Sequence, residues 1–181
     1  LNHPSILKFV GFSPTDFKKR PRPVIITEYV SNGTLSDLIL LERSQLISQD
    51  IFNDTTKLII IYGIASGMSY LHSHDIIHRD LKPDNILIND YLLPKIADFG
   101  LSKVKNNDNS DLNSTLGIKG TPIYISPEIW RKYEYGKASD VYAFAMIVYE
   151  LLTNDEPFEK CHIFQIQCKI LAGYRPSFNK A

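Results

Sequence analysis

Apolar residues recur every three or four positions in two long stretches of this chain, and that spacing predicts two amphipathic helices. The first covers residues 54–74, where Asp54 or Thr55 can cap its start, and the second covers residues 137–153. The apolar stripe predicted for the first helix is Leu58, Ile61, Ile64, Ala65, Met68 and Leu71. The stripe predicted for the second helix is Val141, Phe144, Ala145, Val148, Leu151 and Leu152.

Shorter apolar segments, rich in β-branched and aromatic residues, predict strands elsewhere in the chain. The predicted strands cover residues 6–12, 24–30, 86–88 and 95–97. Two shorter helices are predicted over residues 34–41 and 163–172, and Gly173 ends the second of them. Residues 103–113 hold several Asn and Asp and few apolar residues, which predicts a mobile loop. Because strands come first and helices dominate afterwards, the predicted fold class is α+β.

Composition and charge fit one soluble globular domain. The chain has 181 residues, of which 44% are hydrophobic and 22% are charged. Its 20 basic and 20 acidic residues cancel, so bulk charge suggests neither a nucleic acid nor an anionic membrane as partner. The longest apolar run, residues 58–65, is too short to span a bilayer, and no signal-peptide pattern opens the chain. We therefore expect a cytoplasmic protein, or the cytosolic part of a larger one.

The sequence His-Arg-Asp-Leu-Lys-Pro-Asp-Asn at residues 78–85 carries the clearest candidate chemistry. It places Asp80, Lys82 and Asn85 on one short loop, and Asp98 follows Asn85 by 13 positions. Transfer of a phosphoryl group needs an acceptor for the hydroxyl proton, a cation near the phosphate and oxygen ligands for Mg²⁺. These four side chains offer all three.

Three motifs, in order, give the chain a resemblance to the eukaryotic protein kinase family. Residues 78–85 resemble the family's catalytic loop, H-R-D-x-x-x-x-N, and Asp98-Phe99-Gly100 is similar to its metal motif, D-F-G. Residues 120–128 resemble the segment that ends in Ala-Pro-Glu, with Ser126 in place of the alanine. Each motif alone could be an unrelated turn, but their order favours the family. The resemblance spans nearly the whole chain and implies a protein-kinase-like fold.

The resemblance implies a role for each residue of the predicted active site. Asp80 matches the catalytic aspartate, which orients the substrate hydroxyl and accepts its proton. Lys82 matches the lysine that steadies the γ-phosphate, although a solvated loop lysine is the alternative, and Thr121 matches the threonine that bonds both residues. Asn85 and Asp98 match the two Mg²⁺ ligands. The presence of both Lys82 and Thr121 favours Ser or Thr over Tyr as the residue that accepts the phosphate.

The resemblance also places ATP beside the second predicted strand. Glu28 and Val30 would present backbone groups to adenine, with Thr27 at the gatekeeper position, and Leu87 would form the apolar floor under the base. The alternative is an ordinary strand end, with Leu87 a plain core residue. Asp140 resembles the buried aspartate that holds the catalytic loop, and an exposed helix cap is the alternative for it.

Activation and substrates follow from the resemblance as well. Arg79 matches the arginine that binds a phosphorylated activation loop, here residues 98–128. Ser110, Ser114 and Thr115 are candidate acceptors for an activating kinase or for autophosphorylation, although each can be a plain polar loop residue. The expected partner is a protein substrate with a Ser or Thr acceptor. No nucleic acid partner and no membrane segment are expected for this chain.

The resemblance divides the chain into residues 1–30, a remnant of the family's small β lobe, and residues 31–181, the helical large lobe without its final helices. The sequence contains no G-x-G-x-x-G motif and no V-A-I-K lysine, so we expect an incomplete sequence that binds ATP weakly by itself. The predicted function is transfer of the ATP γ-phosphate to protein Ser or Thr with Mg²⁺, in a kinase most similar to the tyrosine-kinase-like group. A catalytically inactive kinase-like scaffold is the alternative, whereas residues 120–128 argue against a small-molecule phosphotransferase.

Overall fold

The computed structural model describes residues 1–99, 103–104 and 121–178. Within these ranges the chain forms five α-helices, two single-turn 3₁₀ helices and three two-stranded antiparallel sheets, which confirms the predicted α+β class. The helices are α1 Leu35–Arg43, α2 Asp54–Ser73, α3 Pro127–Lys132, α4 Lys137–Thr153 and α5 Ile163–Leu171. The strands are β1 Phe9–Ser13, β2 Val24–Thr27, β3 Ile76–Ile77, β4 Ile86–Ile88, β5 Pro94–Ile96 and β6 Lys103–Val104. They pair as β1 with β2, β3 with β6, and β4 with β5.

Polar side chains fix where α1 and α2 begin. Thr34 caps α1 in a capping box, in which its hydroxyl accepts from the Asp37 N–H and the Asp37 carboxylate accepts from the Thr34 N–H. Asn53 caps α2 through its side-chain oxygen, so the predicted cap at Asp54 or Thr55 is wrong. The predicted bounds of α4 agree with the structure, and those of α1, α2 and α5 differ by one or two residues.

One hydrophobic core joins α1, α2, α4 and the β4–β5 hairpin. Its fully buried side chains include Leu35, Ile60, Ile64, Ile86, Ile96 and Ile147. Helices α2 and α4 pack against each other, and β5 packs on α2. Burial of this apolar surface is the dominant favourable contribution to folding. None of the helices in the described part of the chain is long and apolar enough to cross a bilayer.

The buried faces of α2 and α4 differ in phase from the predicted stripes. On α2 the buried residues are Lys57, Ile60, Ile64, Gly67, Met68 and Leu71, whereas Leu58 is 59% exposed. On α4 they are Ser139, Asp140, Ala143, Met146, Ile147, Glu150 and Leu151, whereas Val141 and Leu152 are exposed. Four consecutive aliphatic residues at 58–61 leave the phase of α2 undetermined by spacing alone. Helix α4 also buries polar residues, and a prediction based only on apolar positions does not include them.

Two glycines let α2 approach β5 closely. A Cβ atom on Gly63 would lie 2.5 Å from Cγ of Pro94, and one on Gly67 would lie 2.9 Å from Cδ1 of Ile96. Glycine disfavours a helix interior by about 1 kcal/mol relative to alanine, so both positions lose helix propensity in exchange for close packing. This packing fixes β5 and, through it, the segment that leads to Asp98.

The sequence did not predict the β3–β6 pair or helix α3. Ile76 lies opposite Val104 and Ile77 lies opposite Lys103, so the start of the segment expected to be a mobile loop forms a strand. The remainder of that expected loop, residues 105–113, lies outside the described ranges.

Candidate active site

Asp140, in the first turn of α4, holds the backbone of the loop that carries the candidate chemistry. Its Oδ2 accepts a hydrogen bond from the His78 N–H at 2.9 Å, and its Oδ1 accepts one from the Arg79 N–H at 3.0 Å. Oδ2 also lies 2.9 Å from Nε2 of His72 on α2. Asp140 is only 2% exposed and Gly136 occupies the N-cap of α4, so Asp140 is a buried anchor and not an exposed cap.

His78 joins this loop to the segment before Asp98. Its buried ring donates from Nε2 to the Ala97 carbonyl at 2.9 Å, and the ring centroid lies 5.4 Å from that of Phe99. Arg79 has a left-handed backbone with φ of 71°, and Asp98 has φ of 57°. Non-glycine residues rarely adopt such angles, so the surrounding bonds must maintain both turns. His78 therefore supports the architecture of the loop.

Asp80, Lys82 and Asn85 meet at one carboxylate oxygen. Nζ of Lys82 lies 3.2 Å from Oδ2 of Asp80, and Nδ2 of Asn85 donates to that oxygen at 3.0 Å. The same Nδ2 donates to the main-chain oxygen of Asp80 at 2.7 Å. The Asp80 side chain remains 14% exposed, so this fixed carboxylate is still accessible to a substrate. A carboxylate held in this way is able to accept a proton from a bound hydroxyl group.

Asn85 and Asp98 fit the chemistry of a magnesium site. The Ala97 N–H donates to the Asn85 carbonyl at 2.8 Å, which brings the residue after Ala97 next to the Asn85 loop. Among the residues that the structure describes, both side-chain hydrogen bonds of Asn85 use Nδ2, which leaves its Oδ1 as a candidate oxygen ligand. The described residues contain no group of three or more His, Cys, Asp or Glu that could hold a metal. Mg²⁺, however, commonly takes only one or two carboxylates and completes its shell with phosphate oxygens and water.

Thr121, distant in sequence, lies beside the loop that carries Asp80. It lines one small cavity together with Asp80, Ser139 and Asp140. Among the residues that the structure describes, the Thr121 side chain forms no hydrogen bond with Asp80 or Lys82. The structure therefore brings Thr121 to the loop, and the bond that the resemblance implied stays a prediction.

Arg79 presents its guanidinium group beside Tyr135. Cζ of Arg79 lies 5.3 Å from the Tyr135 ring centroid, and its Nε is buried without a hydrogen-bond partner among the described residues. A guanidinium fork of this kind suits a phosphate group. Outside the described ranges lie Gly100 and the candidate phosphate acceptors Ser110, Ser114 and Thr115.

The predicted adenine segment lies beside the β4–β5 hairpin. The Glu28 carboxylate is 2.8 Å from Nζ of Lys95, and Lys95 pairs in register with Leu87. The backbone carbonyl of Gly33, three residues after Val30, accepts a hydrogen bond from the Ile88 N–H at 3.0 Å. Val30 and Leu87 are both half-buried. The structure thus brings the two predicted adenine-binding segments together.

A buried acid, Glu150 of α4, supports the segment that begins at Thr121. The Tyr124 hydroxyl donates to Oε1 of Glu150, and a guanidinium nitrogen of Arg43 lies 3.5 Å from Oε2. Burial raises the pKa of Glu150, with Tyr124 and Arg43 acting in the opposite direction and Asp84 adding to the rise. Burial and the Glu150 charge likewise raise the pKa of Tyr124. This contact ties α1, α4 and the Thr121 segment together.

Three supporting residues were not predicted from the sequence: His72, Tyr135 and Glu150. His72 meets a partner 68 positions away, and Glu150 meets Tyr124 across 26 positions, so no local motif reports these contacts. One signal was available for Glu150, because a carboxylate in an otherwise apolar helical stretch needs a partner when buried.

Comparison with known proteins agrees with this geometry. Residues 1–177 match the family described as the protein kinase domain. The chain is 37% identical over 179 residues to the "Putative serine/threonine-protein kinase/receptor R831" of Acanthamoeba polyphaga mimivirus, across 97% of this chain and 10% of that protein. It is 37% identical over 185 residues to the serine/threonine-protein kinase VIK of Arabidopsis thaliana, across 98% of this chain and 39% of that protein. The chain thus spans less than half the length of these relatives, and it belongs to the protein kinase family.

Proposed function

We propose that this chain forms the catalytic part of a protein serine/threonine kinase, which transfers the γ-phosphate of ATP to a protein hydroxyl group. Members of the family generally use ATP and Mg²⁺. The observation that carries the proposal is the convergence of Lys82 and Asn85 on Oδ2 of Asp80, at 3.2 and 3.0 Å. The two relatives described above carry serine/threonine kinase in their names, which supports the same acceptor class.

Asp80 is the proposed acceptor for the substrate proton. Lys82 and Asn85 hold its carboxylate in one orientation, so that a substrate hydroxyl can donate to it as the hydroxyl oxygen attacks phosphorus. Lys82 supplies positive charge to the transferred phosphoryl group. Thr121 is proposed to bond with Asp80 and Lys82 once substrate is bound, which would orient the acceptor.

Asn85 and Asp98 are the residues proposed to hold Mg²⁺. When bound, the ion would neutralise charge on the phosphate oxygens. The chain's own contribution is orientation: two hydrogen bonds fix the Asn85 amide, and the bond from the Ala97 N–H to the Asn85 carbonyl brings Asp98 alongside. Oxygen ligands on two adjacent loops suit a hard cation.

The nucleotide base is proposed to bind at Glu28, Val30 and Leu87. Glu28 and Val30 would offer backbone groups to adenine, and Leu87 would cover one apolar face of the base. Lys95 supports this placement, because its Nζ forms an ion pair with Glu28 and its backbone lies opposite Leu87 in the β4–β5 hairpin. We also propose that residues 1–30 belong to the small lobe of the kinase and residues 31–181 to the large lobe.

The proposed partner is a protein with a Ser or Thr acceptor, in the cytoplasm. Phosphorylation of the loop at residues 98–128, by another kinase or by the protein itself, is proposed to engage Arg79. The buried Nε of Arg79, which has no partner among the described residues, supports this role.

The test uses the natural polypeptide that carries residues 1–181, with γ-labelled ATP. Three peptides are offered that are identical except for a single Ser, Thr or Tyr. We expect Mg²⁺-dependent labelling of the Ser and Thr peptides at least tenfold above the Tyr peptide, and no labelling in excess EDTA. Labelling of Tyr alone would overturn the acceptor class. Absence of both transfer and Mg²⁺-dependent ATP binding would instead support the catalytically inactive scaffold.

A further inference from the structure

The connection between β1 and β2, residues 14–23, concentrates positive charge outside the active site. Its basic residues are Lys18, Lys19, Arg20 and Arg22, and all four are exposed. Four of the chain's 20 basic residues thus occupy five positions, although the chain as a whole is neutral. Asp16 is the single acidic residue of the connection. The zero net charge of the chain therefore does not exclude a local basic surface.

Asp16 gives this connection a defined shape. Its Oδ1 accepts from the Lys18 N–H at 2.9 Å and from the Arg20 N–H at 3.0 Å, and its Oδ2 lies 2.6 Å from Nε of Arg20. Lys19 completes the turn with φ of 58°. Asp16 thereby neutralises Arg20, whereas Lys18, Lys19 and Arg22 form no ion pair with any residue that the structure describes. Three positive charges remain available to a partner.

Phe17 lies inside the same turn, between the capping aspartate and the lysines. Its side chain is 93% exposed, the highest value among the large hydrophobic residues that the structure describes. An isolated exposed aromatic residue needs no special explanation. Here, however, the ring is held next to three available cations by the Asp16 hydrogen bonds, and this combination of apolar ring and positive charge is the chemistry of an interfacial membrane contact.

We propose that the turn formed by residues 16–22, here called the basic turn, docks this protein on an anionic lipid surface. The basic residues would approach the headgroups, and Phe17 would enter the interfacial region. The proposed contact is peripheral, because it uses one exposed turn at the level of the headgroups.

The shape of the basic turn favours a lipid surface over an acidic peptide. Residues 14–23 are exposed throughout except for the partly covered Asp16, so the turn projects outward and forms no groove. Peptides are usually bound in grooves or along strand edges, whereas a projecting aromatic ring flanked by cations matches a flat anionic interface. An acidic peptide is therefore the competing outcome of the test.

The first experiment measures sedimentation of the chain with vesicles at 0.1 M NaCl. Vesicles of phosphatidylcholine alone are compared with vesicles that contain about 30% phosphatidylserine. We expect binding only to the anionic vesicles, and loss of that binding near 0.5 M NaCl because salt screens the contact. The double variant K18Q/K19Q is expected to lower the partition coefficient roughly thirtyfold, since each basic residue near the surface contributes about a factor of five.

The matched control is K132Q/K160Q, which removes the same charge elsewhere on the surface. Lys19 and Lys160 both have left-handed backbones, with φ of 58° and 64°, so each double variant places one Gln under the same strain. The control is expected to change binding less than twofold. Equal losses for the two double variants would show that net charge alone matters and would overturn the docking site.

Phe17 distinguishes the lipid surface from an acidic partner. F17A is expected to weaken vesicle binding about fivefold. The emission of the new tryptophan in F17W is obtained by subtracting the spectrum of the unsubstituted chain, which contains Trp130. It should shift to the blue on anionic vesicles. Binding to a polyglutamate peptide as tight as to the vesicles, or an unshifted F17W emission with bound vesicles, would overturn the proposal.

Discussion

Oδ1 of Asp140 accepts a hydrogen bond from the backbone N–H of Arg79 at 3.0 Å, across 61 positions of the chain. Arg79 has φ of 71°, an angle that costs a non-glycine residue about 1–3 kcal/mol. A hydrogen bond to a buried carboxylate offsets much of that cost. Since Asp80 follows directly, the position of the proposed proton acceptor depends on a residue at the start of α4.

Replacing Asp140 by alanine is expected to lower the free energy of unfolding by about 3 kcal/mol. The His78 and Arg79 N–H groups would remain buried without an acceptor, and His72 would lose its partner. Urea unfolding followed by circular dichroism measures the change. The control is Glu159→Ala, whose side chain is 62% exposed beside Lys160 and whose loss should cost less than about 1 kcal/mol. Equal losses for the two variants would contradict the anchoring role.

Asn85→Ala is expected to reduce kinase activity about a hundredfold and to raise the Mg²⁺ concentration needed for half-maximal rate. The variant removes the proposed oxygen ligand and also the two Nδ2 hydrogen bonds that orient Asp80. Rates are measured from 0.1 to 50 mM Mg²⁺, and partial recovery at the highest concentrations is the expected signature of a lost ligand. An unchanged Mg²⁺ dependence at reduced rate would assign Asn85 to structure alone.

The raised pKa of Glu150 predicts a specific pH dependence of stability. Burial raises the pKa above the ordinary value of 4.5, so the folded state holds a proton that the unfolded state has already released. Stability contributed by this group is complete below pH 4.5 and declines as the pH rises through the folded pKa. Glu150→Gln cannot titrate, so wild type should lose stability relative to this variant between pH 4.5 and pH 7.5.

Tyr124→Phe provides the second arm of that measurement. It removes the hydroxyl that donates a hydrogen bond to Glu150. That hydrogen bond lowers the pKa of Glu150 and so offsets part of the rise caused by burial. The decline of stability with pH should therefore be steeper in Tyr124→Phe than in wild type. Urea midpoints at the two pH values give all three slopes, and parallel slopes would contradict the buried-acid account.

Gly63→Ala is expected to destabilise the fold although alanine is the better helix former. The new Cβ would lie 2.5 Å from Cγ of Pro94, and overpacking of this kind typically costs 1–3 kcal/mol. That exceeds the gain of about 1 kcal/mol in helix propensity. Gly11→Ala is the control, because its Cβ would meet nothing within 4 Å. A variant at Gly63 as stable as wild type would show that β5 can move away from α2.

Local sequence signals predicted much of this fold, because helix length and strand content depend on nearby residues. The bounds of α4 follow from the apolar periodicity, and the α+β class follows from the order of the predicted strands and helices. The phase of the buried face of α2 did not follow, because residues 58–61 of that helix are four aliphatic residues in a row. Nor did the pair β3–β6, since strands of two residues carry no periodic signal.

The candidate site shows the same division between local and long-range information. Asp80, Lys82 and Asn85 are close in sequence, so one motif predicted their chemistry, and the structure brings them to one oxygen atom. The contact of Tyr135 with Arg79 depends on where the connection between α3 and α4 lies, and that of His72 with Asp140 depends on how α2 and α4 pack. Such packing contacts join residues that are distant in sequence, and no motif spans them.

The most direct test of the kinase account compares Asp80→Asn with Asp84→Asn in the natural polypeptide that carries residues 1–181. The two substitutions are chemically identical and lie four positions apart on one loop, but Asp84 is exposed, and its carboxylate forms neither an ion pair with Lys82 nor a hydrogen bond with the Asn85 side chain. The measured quantity is the rate of γ-phosphate transfer to a Ser peptide, with unfolding midpoints to confirm that both variants are folded. We predict a loss of at least a thousandfold for Asp80→Asn and less than threefold for Asp84→Asn, since Asp80 is the proposed acceptor of the hydroxyl proton. Transfer by Asp80→Asn at the rate of Asp84→Asn would contradict the account.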